Sequence, residues 1–531
     1  MRSKKNLSQI NNETRVFYVD NINGNDQNSG LSENEPLETL DAAFGNTLYA
    51  GNKVLLKSGG TYAGGAKLTA NGTEEKPIVI SSYGDGEKPV INDFDNDIGI
   101  KVYGEYVEIS NLEFTAPKGV NGITCYALDG AVKGIKITDC DFHNINTGFN
   151  EIGYSSGGIT LSATGVKPCW FEDALIENNT FDTVARTAVN LDTNWCAKDK
   201  NQKWGSDNIV VNGNGERDSA NSPVYYSKNI TVRGNEIKNN GGDAILLIGA
   251  EDSLVEYNRV EDSGLFRNVE VKNYWASIWL RDCKDTIVQY NAVYGNRDKN
   301  GGSDLQAYDS DIGCRDCIFQ YNYSQDNAGG FMLLCSGVKD NNARNDGTIV
   351  RYNLSVNDGY DLDSKNSKQV IDVVDNVQNA QIYNNTIYSS KKDIVLVQLS
   401  DYGDAKNPEA VFIPPKNNTF TNNIFYVAKG VNNVAYKMHG TKAATAKFIN
   451  NVFYGVDVPK INGITTTGTL KDDPKLKEPG AQGGTLEEMA KKYKPNSGSY
   501  VLSKGTPLKG NLLKDMLGAK IDNKLIGALG K

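Results

Sequence analysis

Histidine is nearly missing from this chain: His143 and His439 are the only two. With so few imidazoles, and a single CxxC (Cys314, Cys317) among eight scattered cysteines, a zinc site is not expected. Eight cysteines are also too thin a supply for a disulfide framework in 531 residues, so buried free thiols are the reading of choice. No run of about 18 apolar residues exists, which argues against a membrane-spanning helix. The first twelve residues are polar and lack the apolar stretch of a signal peptide, so the chain is either cytoplasmic or numbered from after a removed signal. Basic residues do not predominate: 56 Lys and Arg against 65 Asp and Glu leave a net charge of −9. That balance argues against a nucleic-acid partner and, less strongly, against a polyanionic glycan. Proline is sparse at 14, whereas Gly reaches 54 and Asn is abundant, a mixture suited to many short strands joined by turns.

One unit recurs from about residue 100: a short alternating strand, an Asn, and a second short strand. It reads VEISNLEF (Asn111), LIENNTF (Asn179), TVRGNEI (Asn235), VEYNRV (Asn258), VQYNAV (Asn291), FQYNYS (Asn322), VRYNLS (Asn353), IYNNTI (Asn385), FTNNIF (Asn423) and FINNVF (Asn451). Between Asn235 and Asn451 the spacing is 23 to 38 residues, the period of a solenoid with strands in every turn. Asn suits such a corner because it tolerates left-handed backbone angles and its amide can bond the Asn of the next coil. Two coils align without a gap, 274–291 over 305–322, placing Cys283 on Cys314 and Asn291 on Asn322; 241–258 extends the stack.

The fold class expected is all-β, a right-handed parallel β-helix. Residues 1–14 form a lead-in. Residues 15–99 form an N-terminal cap and first coils, with a helix near Leu37–Phe44 closing the open end. Residues 100–467 form the solenoid, and 468–531 a C-terminal cap over the last coil's edge. Insertions near 192–224 and 397–417 are expected to stand beside a groove.

The stretch GGSDLQAYDSDIGCRDCIFQYNYSQDNAGGFMLLC (301–335) interrupts this apolar stacking with Asp304, Asp309 and Asp311. Asp309 and Asp311, two apart on a strand, point the same way with backbones about 6.5 to 7 Å apart. If Ile312 is core, both face the groove, with Ile278 and Leu280 beside them on the preceding coil. Apolar surroundings and a like-charged neighbour both raise a carboxyl pKa. An acid and a carboxylate held together are the minimum apparatus of glycoside hydrolysis. Asp304 lies about 23 Å of straight strand from Asp311, so the two meet only if the chain bends at Leu305–Ala307, where no turn signal stands.

The opening FYVDNINGNDQNSG with EPLETLDAA resembles the N-terminal cap of many carbohydrate-active β-helix enzymes, pectate lyases and glycosidases among them. The block DSDIGCRDCIFQYNYSQDNAGGFMLLC resembles a narrower group of bacterial β-helix proteins, nearest to the lacto-N-biosidase family of β-helix glycoside hydrolases. That resemblance implies a catalytic pair of aspartates seven positions apart, the separation of Asp304 and Asp311. It implies an oligosaccharide or polysaccharide substrate and a secreted or cell-surface location.

Sugar rings stack on aromatic side chains, which makes Trp275, Trp279, Trp195, Trp204 and Tyr308 candidates, Trp279 with an equal claim to the core. Arg281, Asp243, Asn327 and Gln306 are candidates to bond sugar hydroxyls. The leading expectation is a monomeric retaining glycoside hydrolase without a cofactor, using two of Asp304, Asp309 and Asp311 as nucleophile and acid/base. Two alternatives stand beside it. One is a polysaccharide lyase with Ca²⁺ on the aspartates and Lys272, Lys284 or Arg281 as base; the other is a noncatalytic glycan-binding rod.

Overall fold

A computed structural model describes residues 14–147, 156–195, 225–264, 274–297, 303–336, 344–362, 368–401, 413–428, 430, 432–440, 443–508, 512 and 514–531. Every pairing between its strands is parallel, and three long sheets of 15, 12 and 13 strands run the length of the molecule. Each complete coil contributes one strand to each sheet, so the chain winds as a right-handed parallel β-helix. Among the described residues no helix is long and apolar enough to cross a membrane.

The helix at the N-terminal end is Leu40–Gly45, capped by the Thr39 hydroxyl, which accepts from the Ala42 N–H. It buries Leu40, Ala43 and Phe44 against Ala66–Thr69, the first strand of the 12-stranded sheet. Leu37, expected within the helix, instead bridges Val19.

Inside one corner the Asn ladder is continuous. From Asn179 through Asn235, Asn258, Asn291, Asn322, Asn353, Asn385 and Asn423 to Asn451, each Nδ2 donates to the next Asn Oδ1 over 2.9–3.1 Å. Each also donates its backbone N–H to the same oxygen, so every buried amide is satisfied. The left-handed residue, however, is the one before the ladder Asn. Asn111, Asp139, Asn178, Gly234, Tyr257, Tyr290, Tyr321, Tyr352, Asn384, Asn422 and Asn450 form a column with φ between 50° and 64°. Asn111 therefore belongs to the turn and not to the ladder. The ladder amides are fully used in cross-coil bonds; the preceding residue, outside the barrel, makes the turn.

The C-terminal segment departs from the expected end cap. It runs back along the outside of the 13-stranded sheet, where Tyr294 donates to the Gly484 carbonyl, Tyr321 to Lys514, Tyr352 to Leu512 and Asn384 to Leu525. Met489, Tyr493, Val501, Met516 and Leu525 share an apolar layer with Tyr323, Tyr352 and Tyr388. The end of the core is approached instead by Val456, Val458, Ile461 and Ile464. The second expected insertion begins too early: Val395–Ser400 is a strand of the 12-stranded sheet, and 402–412 lie outside the described residues.

Candidate active site

The outward positions of the 12-stranded sheet form two columns, and their chemistry changes along the rod. In one column Asn190, Leu246, Trp279, Asp309, Leu333, Asp372 and Gln398 follow one another in successive coils. In the other, Ile248 pairs Arg281, and Cys335 and Val374 follow two coils on. The expected register was one residue off here. Trp279, not Ile278, lies beside Asp309, and Leu280 lies beside Ser310. Ile278 and Leu280 belong to the interior core.

The slip has a local cause. Trp275 pairs Asp304, and three steps on Ile278 pairs Tyr308, four steps from Asp304. Beyond the strand, Leu280 pairs Ser310, yet Lys284 bridges Arg315, so a residue is again added. The coil holding the aspartates is thus one residue longer on each side of the strand Gln306–Ser310. The upstream extra residue is absorbed in two consecutive left-handed residues, Asp304 (φ 70°) and Leu305 (φ 67°). Neither is glycine, so the backbone is strained at this bend. It is held by burial of Leu305 against Trp275 and Ala328, and by Gly329, where a Cβ would lie 1.7 Å from the Asp304 carbonyl oxygen.

This bend places Asp304 within range of the Asp311 charge despite their separation in sequence. Loss of solvent pushes the Asp304 carboxyl up to about 7; the Asp311 charge adds to the rise and Lys368 opposes it. Asp311 is also raised by loss of solvent, but Arg281, the Ile312 N–H and the Cys335 thiol favour its ionised form. Asp304 and Asp311 remain partly exposed, while Asp309 is only 4% exposed. Burial drives Asp309 well above the carboxylate range, reinforced by Asp311 and Asp304. The trio thus divides into an accessible pair and a covered third acid.

The remaining candidates separate clearly. Asp243 is fully buried, and its Oδ2 accepts from Arg186 Nε at 2.7 Å; it influences Asp304 and Asp309 through its charge and is closed to direct contact with a sugar. Trp275 is 2% exposed in the small cluster under Leu305, so it serves the bend and offers no stacking face. Trp279 lies outside the main core in a cluster with Leu246, Ile248 and Ala276, next to Asp309. Arg281 is buried beside Asp311 and Asp282. Gln306 is buried at the start of the aspartate strand. Asn327 is wholly buried and donates to Asp358 and the Val293 carbonyl in a second interior ladder, which removes it from sugar binding. Tyr308 is a core residue bonded to the Asn291 and Tyr323 carbonyls, again not a platform. Trp195 follows a strand three coils away, about 14 Å along the rod, with its indole N–H donated to Gly165. Trp204 and Lys272 lie outside the described residues. Lys284 pairs with Glu251 at 2.5 Å. The CxxC thiols are buried and free, and Cys283 lies close to Cys314 as the alignment of coils implied.

Three neighbours of the site escaped the sequence reading: Lys368, Asp372 and Cys335. Asp372 accepts from Gln369 at 2.6 Å and Ser400 at 2.9 Å. Extending the coil alignment two turns further, to 330–335 and 369–374, is the signal that finds Cys335 and Asp372.

The profile of a family described as a right-handed beta helix region matches residues 224–387. A lacto-N-biosidase of Bifidobacterium longum is 24% identical over an alignment covering 96% of this chain and 35% of the relative, so the chain spans about a third of that protein's length. Among solved structures, the GH136 lacto-N-biosidase from Eubacterium ramulus superposes with a TM-score of 0.56 at 23% identity, over 71% of this chain and 64% of that one. A PL6 alginate lyase in complex with a trisaccharide gives 0.53 at 13% identity, over 89% and 91%. At these identities the superpositions establish the β-helix and nothing finer.

Proposed function

We propose that this chain is a retaining glycoside hydrolase acting on an oligosaccharide, with Asp311 as nucleophile and Asp304 as acid/base. The observation that carries the reading is the strained bend at Asp304–Leu305, which sets two partly exposed carboxyls together in unequal electrostatic surroundings. A retaining mechanism needs that inequality. One group must attack as a carboxylate, and the other must hold a proton for the leaving oxygen and then take one from water. Arg281, the Ile312 N–H and the Cys335 thiol favour the charged form of Asp311. Asp304, pushed up to about 7, holds a proton near neutral pH. Asp309, covered beside Trp279, is assigned a supporting role as a neutral acid that adds no further negative charge to the site.

The likeness to lacto-N-biosidases supports oligosaccharides containing lacto-N-biose as the first substrates to try. Asp311→Asn and Asp304→Asn should each lower turnover by about 10³-fold or more, with the anomeric configuration of the first-formed product retained in the parent protein. Full turnover by both variants on a true substrate overturns the assignment. Products with unsaturated, UV-absorbing ends, and loss of activity on chelation of Ca²⁺, would place the chain among lyases instead.

A further inference from the structure

The left-handed column at the ladder corner is filled by Asn, Asp or Gly in seven coils and by tyrosine in four consecutive ones, Tyr257, Tyr290, Tyr321 and Tyr352. Asn, Asp and Gly adopt this conformation readily; a bulky aromatic residue rarely does. Two of the tyrosines are accounted for within the chain, since Tyr321 and Tyr352 donate to carbonyls of the returning C-terminal segment. Their rings continue upward as a stack. Tyr290 lies 5.1 Å from Tyr321, and Tyr257 lies 5.0 Å from Tyr290 with the planes 3° apart.

The stack stops abruptly. Tyr257 is 56% exposed. The residue above it in the column is Gly234, which contributes no ring and no side chain. The next rung therefore carries no ring over the exposed Tyr257. Asn178, from the coil beyond, reaches toward it: its Oδ1 lies 2.6 Å from where a Gly234 Cβ would be. Arg233, paired with Glu256 at 2.7 Å, flanks the same rung.

We infer that the Tyr257 face is a glycan-binding platform on which one pyranose ring takes the vacant rung. The ring's apolar C–H face would lie on the tyrosine, with the Asn178 carboxamide and Arg233 available to its hydroxyls. A ring-sized ligand fits the 5.0 Å repeat of the stack, and a pyranose presents both an apolar face and peripheral hydroxyls. The corner lies between the 15- and 13-stranded sheets, whereas Asp309 lies on the 12-stranded sheet, with Asp304 and Asp311 flanking its strand. The platform would thus hold a polymeric or surface-bound glycan at a place separate from the groove.

The test is affinity electrophoresis of the full chain in native gels containing soluble β-galactan, β-xylan or β-glucan, with Tyr257→Asn and Tyr257→Phe beside the parent. Asn is the residue the same column uses at 178, 384, 422 and 450, so Tyr257→Asn leaves the turn intact. The parent and Tyr257→Phe should be retarded by at least one polymer, and Tyr257→Asn should bind it about tenfold more weakly. Turnover of a small soluble substrate should be equal in all three. Retardation of Tyr257→Asn equal to the parent's, or no retardation of the parent by any of the polymers, overturns the inference. Self-association of the parent that Tyr257→Asn abolishes, seen by sedimentation velocity, would give this face to a second copy of the chain and overturn it equally. The gel readout does not depend on the aspartates, so failure of the proposed catalytic chemistry leaves this test interpretable.

Discussion

The ladder corner and the aspartate edge are built on the same coils, a few residues apart in sequence, and they obey opposite rules. At the corner, from Asn179 onward, every coil repeats the last: a left-handed residue, then an Asn whose amide is bonded to its neighbours. At the aspartate edge one coil is longer than its predecessor on both flanks, two non-glycine residues are left-handed in succession, and three carboxyls converge with their pKa values raised. Because the corner fixes the spacing of successive coils, the edge can tolerate strain and like charges that would otherwise spread apart. Regularity in one place permits irregularity in the other.

The most disruptive way to break this contrast is at the corner. Asn322→Ala strands both donors of Asn291 and removes one of the two donors to the Asn353 Oδ1, and should destabilise the fold by about 3 kcal/mol, read as a fall in the denaturation midpoint. A loss no larger than that of an exposed Asn→Ala control would mean the ladder contributes little. Gly329→Ala attacks the bend instead. Its Cβ meets the Asp304 carbonyl, so Asp304 must shift; kcat/KM should fall about 10²-fold with a much smaller loss of stability than at Asn322. Unchanged kinetics would separate the bend from the chemistry.

The subtlest effect is on pH. Asp304 binds its proton more tightly folded than unfolded, so its contribution to stability is present in full below the ordinary carboxyl pKa, falls progressively above it, and is gone once pH has passed about 7. Asp304→Asn should therefore gain on the parent as pH rises from the ordinary carboxyl pKa to about 7, by at most about 1 kcal/mol per pH unit, and gain nothing further at higher pH. On the proposed assignment of Asp304 as acid/base, the same titration should set the alkaline limb of kcat/KM. Lys368→Met, which removes a cation that lowers the Asp304 pKa, should move that limb to higher pH.

Sequence periodicity made the solenoid legible because stacked coils repeat their core and their ladder. LQAYDSDIGCRDCIFQYN laid over YWASIWLRDCKDTIVQYN placed Cys314 and Asn322 correctly, since both lie beyond the second added residue. The same alignment misplaced Asp309 by one position, because a gap-free match cannot carry two successive one-residue insertions, one on each side of the strand. The proposed pairing of Asp304 with Asp311 came from resemblance alone. Leu305 is a poor advertisement for a left-handed turn, and what holds it there is tertiary: Trp275, Ala328 and the bare backbone of Gly329. Asn327 and Tyr308 looked like site residues for want of any local sign that the interior would use their polar groups.

The path taken by the last sixty residues bears on how the rod comes apart. In a linear array each turn leans on its two neighbours and can fray from an end. Here one tail is tied at Tyr294, Tyr321, Tyr352, Asn384 and Asn422, like a cord laced across the spine of a book. Loosening any single page then tugs on several others, and the laced half of the molecule should melt together.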